Sequence, residues 1–346
     1  MTRKSWITLI LLLIFFFSLS SSSSQAQMKP KVTLTEDWIL YGAQLPEFLA
    51  AAKGYYAAEG LEVNIVRGYG PGDTVKKVAS GASEFGRSAG ISDILGRASG
   101  AKIKIVAVPM LTPPFGVVFL KSSGIRNPKD LEGKKLGAPA ASSAFRMFPA
   151  FAQETGINQS KITVVNMDPA GLVGSLVVKS VDISIFWPTE MPAYAKAAKQ
   201  RGEEVAYMLF ADYGVRDMYG NTFITADSTI AKSPKVVRGF VRASLRGLSY
   251  AINHPDEAVK AFMKHSPVSD PAVIKGEWLE TAKLAFDDLY EKNGLGFADP
   301  GKMKASLKLV RKYFGGKGTI KPEAVYTNEF VLATPRKWRT AKRPAK

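Results

Sequence analysis

The chain has 346 residues, a formal net charge of +17 at pH 7, two histidines and no cysteine. The lack of cysteine excludes disulfide bonds, thiolate metal sites and a cysteine nucleophile. The positive charge suits an acidic ligand or solubility alone, and nucleic-acid binding is not expected because the basic residues are mixed with acidic ones rather than striped with aromatic ones.

The N-terminus has the pattern of a secretory signal peptide. Arg3 and Lys4 precede an apolar run over residues 7–17 that only Thr8 interrupts, and the tripeptide SQA at residues 24–26 is a small-x-small cleavage site. A membrane anchor is the alternative, but a membrane-spanning helix needs about 20 apolar residues and this run is shorter. We therefore expect a signal peptide over residues 1–26, cleavage after Ala26 and a periplasmic location.

The next part of the chain alternates between strand and helix patterns, which is typical of an open α/β sheet. Apolar side chains spaced three and four residues apart predict a helix that ends near Gly54. A glycine-rich turn at residues 68–72 then leads to a second helix, which Asp73 or Thr74 can cap. Such a turn either presents free backbone N–H groups to a ligand or simply makes a tight connection. The predicted strands are residues 31–34, 61–66, 84–87 and 102–108.

A proline-containing interruption at residues 109–114 is followed by a second set of strand patterns. A chain of this length usually divides into more than one core, so two sheets joined by short crossings are expected. We assign residues 27–114 to the first part of lobe 1, 115–220 to lobe 2, and 221–334 to the return to lobe 1 with the C-terminal helices. The strands predicted in the second set are residues 115–121, 135–138, 163–166, 182–186 and 205–210.

The C-terminal part reads as mostly helical. Ser233 and Asp270 each precede a proline, which is typical of a helix start, and an apolar stripe follows over residues 236–252. We expect these helices to pack on lobe 1. The tail, residues 335–346, has six basic and no acidic residues and is expected to be disordered, with contact to anionic lipid as an alternative.

Five sequence blocks carry a resemblance to a known family: DW at 37–38, KGYY at 53–56, EGL at 59–61, SGIRNPKDLEGKKLGAP at 123–139 and ADYGVRDMYGN at 211–221. Together they resemble the NMT1/THI5-like proteins, the nitrate, sulfonate and taurine type of periplasmic solute-binding proteins of ABC importers. The resemblance implies an α/β, two-lobed periplasmic binding protein of type II. Each lobe is then an open mixed sheet flanked by helices, and two chain crossings form the hinge.

In open α/β sheets, ligands bind beyond the carboxyl ends of the strands, where the strand order switches. The loops at these positions carry three kinds of residue. Aromatic rings can enclose a flat ligand, hydroxyl and amide groups can orient it, and one arginine can pair with an acid. The candidate ligand-binding residues are Trp38, Tyr41, Gln44, Tyr69, Gly70, Ser88, Ala89, Phe115, Ser142, Ser143, Arg146, Asn166, Trp187, Glu190 and Tyr219.

Two of these candidates have open alternatives. The guanidinium of Arg146 can hold a carboxylate or sulfonate at two points, or it can be merely solvated. Pro149 predicts that the local helix either begins close to Arg146, which would aim the side chain at the cleft, or is kinked there. Trp187 follows a predicted strand and serves either ligand contact or packing within the lobe.

The resemblance also brings an enzymatic alternative. Fungal members of the family are pyrimidine synthases that consume an active-site histidine, which lies six residues after a tryptophan and two before a proline. Gln44 takes that position between Trp38 and Pro46, and the cysteine-rich iron motif is absent. The two histidines, His254 and His265, lie far along the chain, and no metal-ligand spacing occurs. We expect no enzyme activity, no catalytic residue, no metal and no cofactor.

These observations predict a monomeric, exported substrate-binding protein that delivers a small molecule to an ABC permease and its ATPase. The preferred ligand is a small organic anion, a sulfonate or carboxylate with an unsaturated or aromatic body, because candidate aromatic walls outnumber the one fixed cation. The alternatives are a thiamine-related pyrimidine whose amino group donates to Glu190, and a periplasmic sensor role for the same closure.

Overall fold

The structure is a computed structural model that describes residues 29–315 and 320–344. The predicted signal peptide, residues 1–26, lies outside the described residues. Within the described ranges, no helix combines the length and the apolar character that crossing a bilayer requires.

Ten strands in the described part of the chain form two five-stranded sheets. Nine of them correspond to the predicted strands, and the tenth, residues 221–226, lies where the sequence predicted only the return to lobe 1. The first sheet has the order β2-β1-β3-β10-β4 and the second the order β7-β6-β8-β5-β9. The strands are β1 Lys31–Thr35, β2 Glu62–Val66, β3 Phe85–Ala89, β4 Ile103–Ala107, β5 Gly116–Leu120, β6 Lys135–Ala138, β7 Thr163–Asn166, β8 Ile183–Phe186, β9 Val205–Leu209 and β10 Asn221–Ala226.

One strand in each sheet runs against its neighbours. β5 is antiparallel to β8 and β9, and β10 is antiparallel to β3 and β4. Each of these is the first strand after the chain has crossed from the other lobe, through residues 108–115 and 210–220 respectively. The predicted fold class, two open mixed sheets in an α/β protein, is confirmed.

Helices cover both sheets, and the last ones form most of the C-terminal part. They are α1 Leu45–Ala52, α2 Tyr55–Ala58, α3 Pro71–Ser80, α4 Gly90–Ala98, α5 Ser143–Thr155, α6 Leu172–Val177, α7 Met191–Lys199, α8 Asp227–Lys232, α9 Pro234–Asn253, α10 Pro255–Met263, α11 Pro271–Lys283, α12 Tyr290–Asn293, α13 Pro300–Phe314, α14 Pro322–Val325 and α15 Glu329–Leu332.

Each sheet packs its helices through stacked aromatic rings. In lobe 1, the apolar stripe of α9 places Phe240 on Phe85 of β3, with ring centroids 3.8 Å apart. In lobe 2, Phe151 of α5 stacks on Phe210 at 4.5 Å. All four rings are fully buried, and burying an aromatic side chain of this size contributes roughly 1.5–3 kcal/mol. These two cores hold the strand ends that carry the site.

Helix α11 packs on lobe 2 as well as on lobe 1, where it was expected. The carboxylate of Glu277 accepts a hydrogen bond from the backbone N–H of Gly42 in lobe 1, at 2.8 Å. On lobe 2, Gly276 lies so close to Pro192 that a methyl group at Gly276 would be 3.0 Å from the proline ring. Helix α11 therefore contacts both lobes.

The tail, residues 335–344, makes hydrogen bonds to the body of the protein, whereas the sequence favoured a disordered tail. Arg336 donates to the carbonyl groups of Glu291 and Lys292, at the end of α12, and Tyr290 donates to the carbonyl of Ala341 at 2.7 Å. The last carbonyl groups of a helix have no partner within the helix and attract cationic donors. The basic residues that suggested disorder are thus the groups that attach the tail.

Candidate functional site

A narrow cavity lies between the two lobes, with about 320 Å³ of empty volume that includes open solvent, and we call it the inner cavity. Lobe 1 contributes residues that follow β1 and the first residue of α3. Lobe 2 contributes the start of α5, one residue of β8 and the segment just after it. The lining residues are Asp37, Trp38, Tyr41, Pro71, Ser142, Ser143, Ile185, Trp187 and Glu190.

Glu190 is held at the inner cavity by donors from both lobes. Nε1 of Trp38 donates to its Oε1 at 3.1 Å, and the backbone N–H of Trp187 donates to its Oε2 at 3.1 Å. Burial raises the pKa of Glu190 to about 7, although both hydrogen bonds oppose this rise. Near neutral pH this carboxyl group can therefore exist as an acceptor-only carboxylate or as an acid with a donor O–H.

Aromatic side chains form the walls of the inner cavity. Trp38, Tyr41 and Trp187 are all less than a tenth exposed. The Tyr41 hydroxyl lies 3.4 Å from Oγ1 of Thr189 in the other lobe, and the ring of Phe115 packs edge-on behind Trp187 with centroids 5.6 Å apart. These flat, rigid walls suit a planar ligand.

Asp37 is a second carboxyl group in the lining, and the sequence analysis did not select it. Nδ2 of Asn221 donates to its Oδ2 at 2.7 Å, and the guanidinium of Arg87 lies 3.8 Å from its Oδ1. Arg87 is itself fully buried, donating to Asn221 and to Glu47. Burial raises the pKa of Asp37. The one available signal was its place directly before Trp38 in the DW block.

The glycine-rich turn connects the two lobes, and the backbone N–H groups at its end form hydrogen bonds within the protein. The N–H of Gly72 donates to the carbonyl of Ala141 in lobe 2 at 3.1 Å, and Asp73 and Thr74 direct their N–H groups to the carbonyl of Gly70. Gly70 has a φ of 128°, and a methyl group there would lie 2.7 Å from Ala141. We call the contact of residues 70–72 with Ala141 the seam.

The expected capping of this helix is wrong, because α3 begins at Pro71, before both candidate caps. The hydroxyl of Thr74 instead donates to the carbonyl of Glu36 at 3.0 Å.

A larger cavity, with about 870 Å³ of empty volume, lies on the other side of the seam, and we call it the outer cavity. Three predicted site residues line it: Tyr69, Arg146 and Asn166. Helix α5 begins at Ser143 with Ser142 as its cap, so Pro149 lies inside the helix and the alternative of a late start is wrong. Arg146 faces the outer cavity from the first turn of α5, not the inner cavity.

Besides Gly70, which belongs to the seam, five predicted site residues line neither cavity. The first four are completely or almost completely buried: Gln44, Ser88, Ala89 and Tyr219. The Gln44 side chain accepts from the N–H of Tyr41 at 2.9 Å, and the Tyr219 hydroxyl donates to the carbonyl of Asp299. The fifth, Phe115, supports Trp187 from behind. Placing loops at strand ends does not fix which way each side chain points, and these point into the core.

Residues 43–258 match the family model described as NMT1/THI5 like. The chain belongs to the NMT1/THI5-like family. This match covers the inner cavity from Ser142 to Glu190, the seam and most of both sheets, whereas Asp37, Trp38 and Tyr41 lie just before it.

Two relatives of this NMT1/THI5-like protein are named as binding proteins. The riboflavin-binding protein RibY of Chloroflexus aurantiacus is 27% identical over 310 residues, which are 87% of this chain and 86% of RibY. The formylaminopyrimidine-binding protein of Halalkalibacterium halodurans is 24% identical over 261 residues, 75% of this chain and 77% of that protein. Other matching relatives, at 24–26% identity, are 4-amino-5-hydroxymethyl-2-methylpyrimidine phosphate synthases.

Solved structures place the NMT1/THI5-like chain in the periplasmic binding protein fold. The alkanesulfonate-binding protein SsuA of Xanthomonas axonopodis superposes with a TM-score of 0.65 at 16% identity, covering 86% of this chain and 99% of SsuA. At this identity the likeness establishes the fold and leaves the ligand to the geometry of the site.

Proposed function

We propose that this protein is the exported, periplasmic substrate-binding component of an ABC importer, and that its two lobes close over a small planar heterocycle that carries hydrogen-bond donors. One observation carries the proposal. The inner cavity has three aromatic walls and two carboxyl groups, and among the described residues that line it none has a cationic side chain.

The chemistry of the lining selects such a ligand. A flat ring fits against the indole and phenol faces of the walls, and an amino or ring N–H group can donate to Glu190 or Asp37. An anion at the same place would lie beside two carboxyl groups, which is unfavourable in a cavity of low polarity. A donor-bearing heterocycle is therefore the better match to the inner cavity.

The names of two relatives support this ligand class. RibY is named for riboflavin and the Halalkalibacterium protein for formylaminopyrimidine. Both names denote planar nitrogen heterocycles. We infer that this chain shares the class of ligand, with the specific heterocycle set by residues such as Pro71, Ile185 and the serines at 142 and 143.

The second candidate ligand is the organic anion that the sequence analysis preferred. Arg146 favours it, and so does the structural neighbour named for alkanesulfonate. The charge of Arg146 lies in the outer cavity, however, so a compact sulfonate or carboxylate in the inner cavity would not reach the fork of donors that was to hold it. An organic anion ranks second for this reason.

Partners follow from the proposed role. A substrate-binding component passes its ligand to an ABC permease with its ATPase, and we propose that this protein acts as a monomer. A periplasmic sensor would use the same closure, so uptake of labelled ligand that depends on the cognate permease separates the two roles.

The direct test is the pH dependence of binding of an aminopyrimidine probe. If the ligand donates to the carboxylate of Glu190, affinity falls as the pH drops below about 7, by up to tenfold per pH unit for one proton. Glu190→Gln is expected to weaken binding at least tenfold and to abolish this pH dependence. Glu204→Gln, at an exposed position of lobe 2, is the matched control. Unchanged affinity in Glu190→Gln would contradict the proposal.

A further inference from the structure

We propose that the outer cavity is a second binding subsite, for a small oxyanion group such as a sulfonate, carboxylate or phosphate, with Arg146 as its anchor. The subsite goes beyond the proposed function, because it lies on the opposite side of the seam from the inner cavity and needs no heterocycle to be tested.

The charges of the outer cavity are unevenly compensated. Its two acidic lining residues are each paired with a cation from outside the lining: Asp73 with Lys77 at 2.8 Å, and Asp168 with Arg67 at 3.3 Å. Its two cationic lining residues, Arg146 and Lys76, have no ion-pair partner within residues 29–315 and 320–344. The cavity therefore keeps an excess of positive charge that an oxyanion would neutralise.

Arg146 has an unused hydrogen-bond donor that an anion could accept from. It is half-buried, and its Nε is buried without a hydrogen-bond partner in the described part of the chain. The guanidinium lies against the backbone of Gly72, where a methyl group would be 2.5 Å from Nη2. A buried donor without a partner costs free energy, and an oxyanion that accepts from it removes that cost.

Asn166 supplies an oriented neutral donor beside Arg146. Its Oδ1 accepts a hydrogen bond from the N–H of Ala140 at 3.0 Å, so its Nδ2 is the group left for a ligand. Arg146 and Asn166 belong to lobe 2, whereas Lys76 and Gly72 belong to lobe 1. An anion bound here would contact both lobes and favour closure, since a ligand stabilises the state to which it binds better.

The subsite is tested with methanesulfonate and inorganic phosphate as probes, at constant ionic strength adjusted with sodium chloride. Nε–Hε signals of arginine in NMR spectra of the full mature chain report the binding. We expect saturable binding to the wild type and an affinity at least tenfold lower in Arg146→Gln. Arg201→Gln, at an exposed arginine of lobe 2, is the matched control and should bind as the wild type does.

Asn166→Asp gives a second test that does not disturb Arg146. The variant keeps the acceptor for Ala140 and replaces the ligand-facing donor with a negatively charged oxygen, so anion binding should again fall at least tenfold while thermal unfolding stays unchanged. Absence of saturable anion binding to the wild type, or equal binding by Arg146→Gln and Arg201→Gln, would overturn the subsite. Retained aminopyrimidine binding in either case would show that the proposed function stands without it.

A pair of probes, riboflavin and riboflavin 5′-phosphate, shows whether the oxyanion is part of the ligand or a free anion. If the group is part of the ligand, the phosphate increases the affinity in the wild type, and Arg146→Gln removes the increase. Equal affinity of the two flavins, together with binding of free phosphate, would identify a free anion as the occupant.

Discussion

Trp38 and Glu190 lie on different lobes and are joined by a hydrogen bond of 3.1 Å from the indole Nε1 to the carboxyl Oε1. Glu190 also accepts from the backbone of its own lobe, at Trp187. One carboxyl group therefore lines the inner cavity and links the two lobes. A ligand that contacts Glu190 acts on the same group that stabilises closure.

Trp38→Phe tests this link. The substitution keeps an aromatic wall but removes the N–H, and a hydrogen bond to a charged group contributes about 1.5–3 kcal/mol. The ratio of closed to open molecules should therefore fall at least tenfold. Because the chain has no cysteine, Glu62→Cys on lobe 1 and Val164→Cys on lobe 2 allow clean labelling for single-molecule energy transfer.

Trp338→Phe, in the tail, serves as the control for loss of an indole N–H elsewhere. It should leave the ratio of closed to open molecules unchanged. An equal ratio in Trp38→Phe and the wild type would show that the indole N–H does not stabilise closure.

The sheets were predictable from the sequence because each strand is a local pattern. Alternation and apolar runs predict nine of the ten strands, and β10 was missed because residues 221–226 were read only as the return crossing. The site was less predictable because it depends on contacts distant in sequence. Trp38 reaches Glu190 across 152 residues, and no local pattern encodes that contact.

Burial of whole strands explains why several predicted site residues lie outside both cavities. Neighbouring residues of a strand point to opposite faces, but β3 is buried on both faces, so neither direction leads from its end into a cavity. Ser88 and Ala89 end β3 and point into the interior, and the Tyr219 hydroxyl is drawn to the carbonyl of Asp299. Trp38, Tyr41, Trp187 and Glu190, which the sequence analysis also selected, do meet in one cavity.

Stability is expected to fall as the pH rises from about 5 to 8. Burial raises the pKa of Glu277 to about 8 from an ordinary value of 4.5. Between these values the folded state binds more protons than the unfolded state, so the free energy of unfolding decreases with pH, by up to about 1.4 kcal/mol per pH unit for one group. Burial raises the pKa of Glu190 and Asp93 to about 7, which adds in the same direction.

Glu277→Gln keeps an acceptor for Gly42 but cannot ionise, so its stability should depend less steeply on pH than that of the wild type. Urea unfolding between pH 5 and 8 measures the slopes. Glu280→Gln, on the same helix and paired with Lys283, is the control. Parallel curves for Glu277→Gln and the wild type would contradict the assignment.

Removal of residues 335–346 should lower the thermal unfolding temperature. The truncation leaves the buried Tyr290 hydroxyl without its partner, and an unsatisfied buried group costs about 1–3 kcal/mol. The carbonyl groups of Glu291 and Lys292, on exposed residues of α12, lose only their contact with Arg336. Removal of residues 345–346 alone is the control. Identical unfolding temperatures for the two truncations would show that the tail contacts contribute nothing.

The mature protein should make no hydroxymethylpyrimidine phosphate when it is supplied with iron and pyridoxal phosphate. Gln44 stands where the resemblance to fungal family members implies the histidine that they consume, and the Gln44 side chain accepts a hydrogen bond from Tyr41. Gln44→His should also give no product, because the chain has no cysteine to hold iron. Product detected by mass spectrometry from either protein would refute this prediction.

Small-angle scattering of the mature chain, residues 27–346, with and without a bound planar heterocycle, tests the central claim most directly. Riboflavin and an aminopyrimidine are compared with benzenesulfonate, each at a concentration that calorimetry shows to be saturating. The account predicts that a heterocycle binds with one-to-one stoichiometry and reduces the radius of gyration, because the lobes close around the inner cavity. Binding of the sulfonate alone, or binding of a heterocycle without compaction, would contradict it.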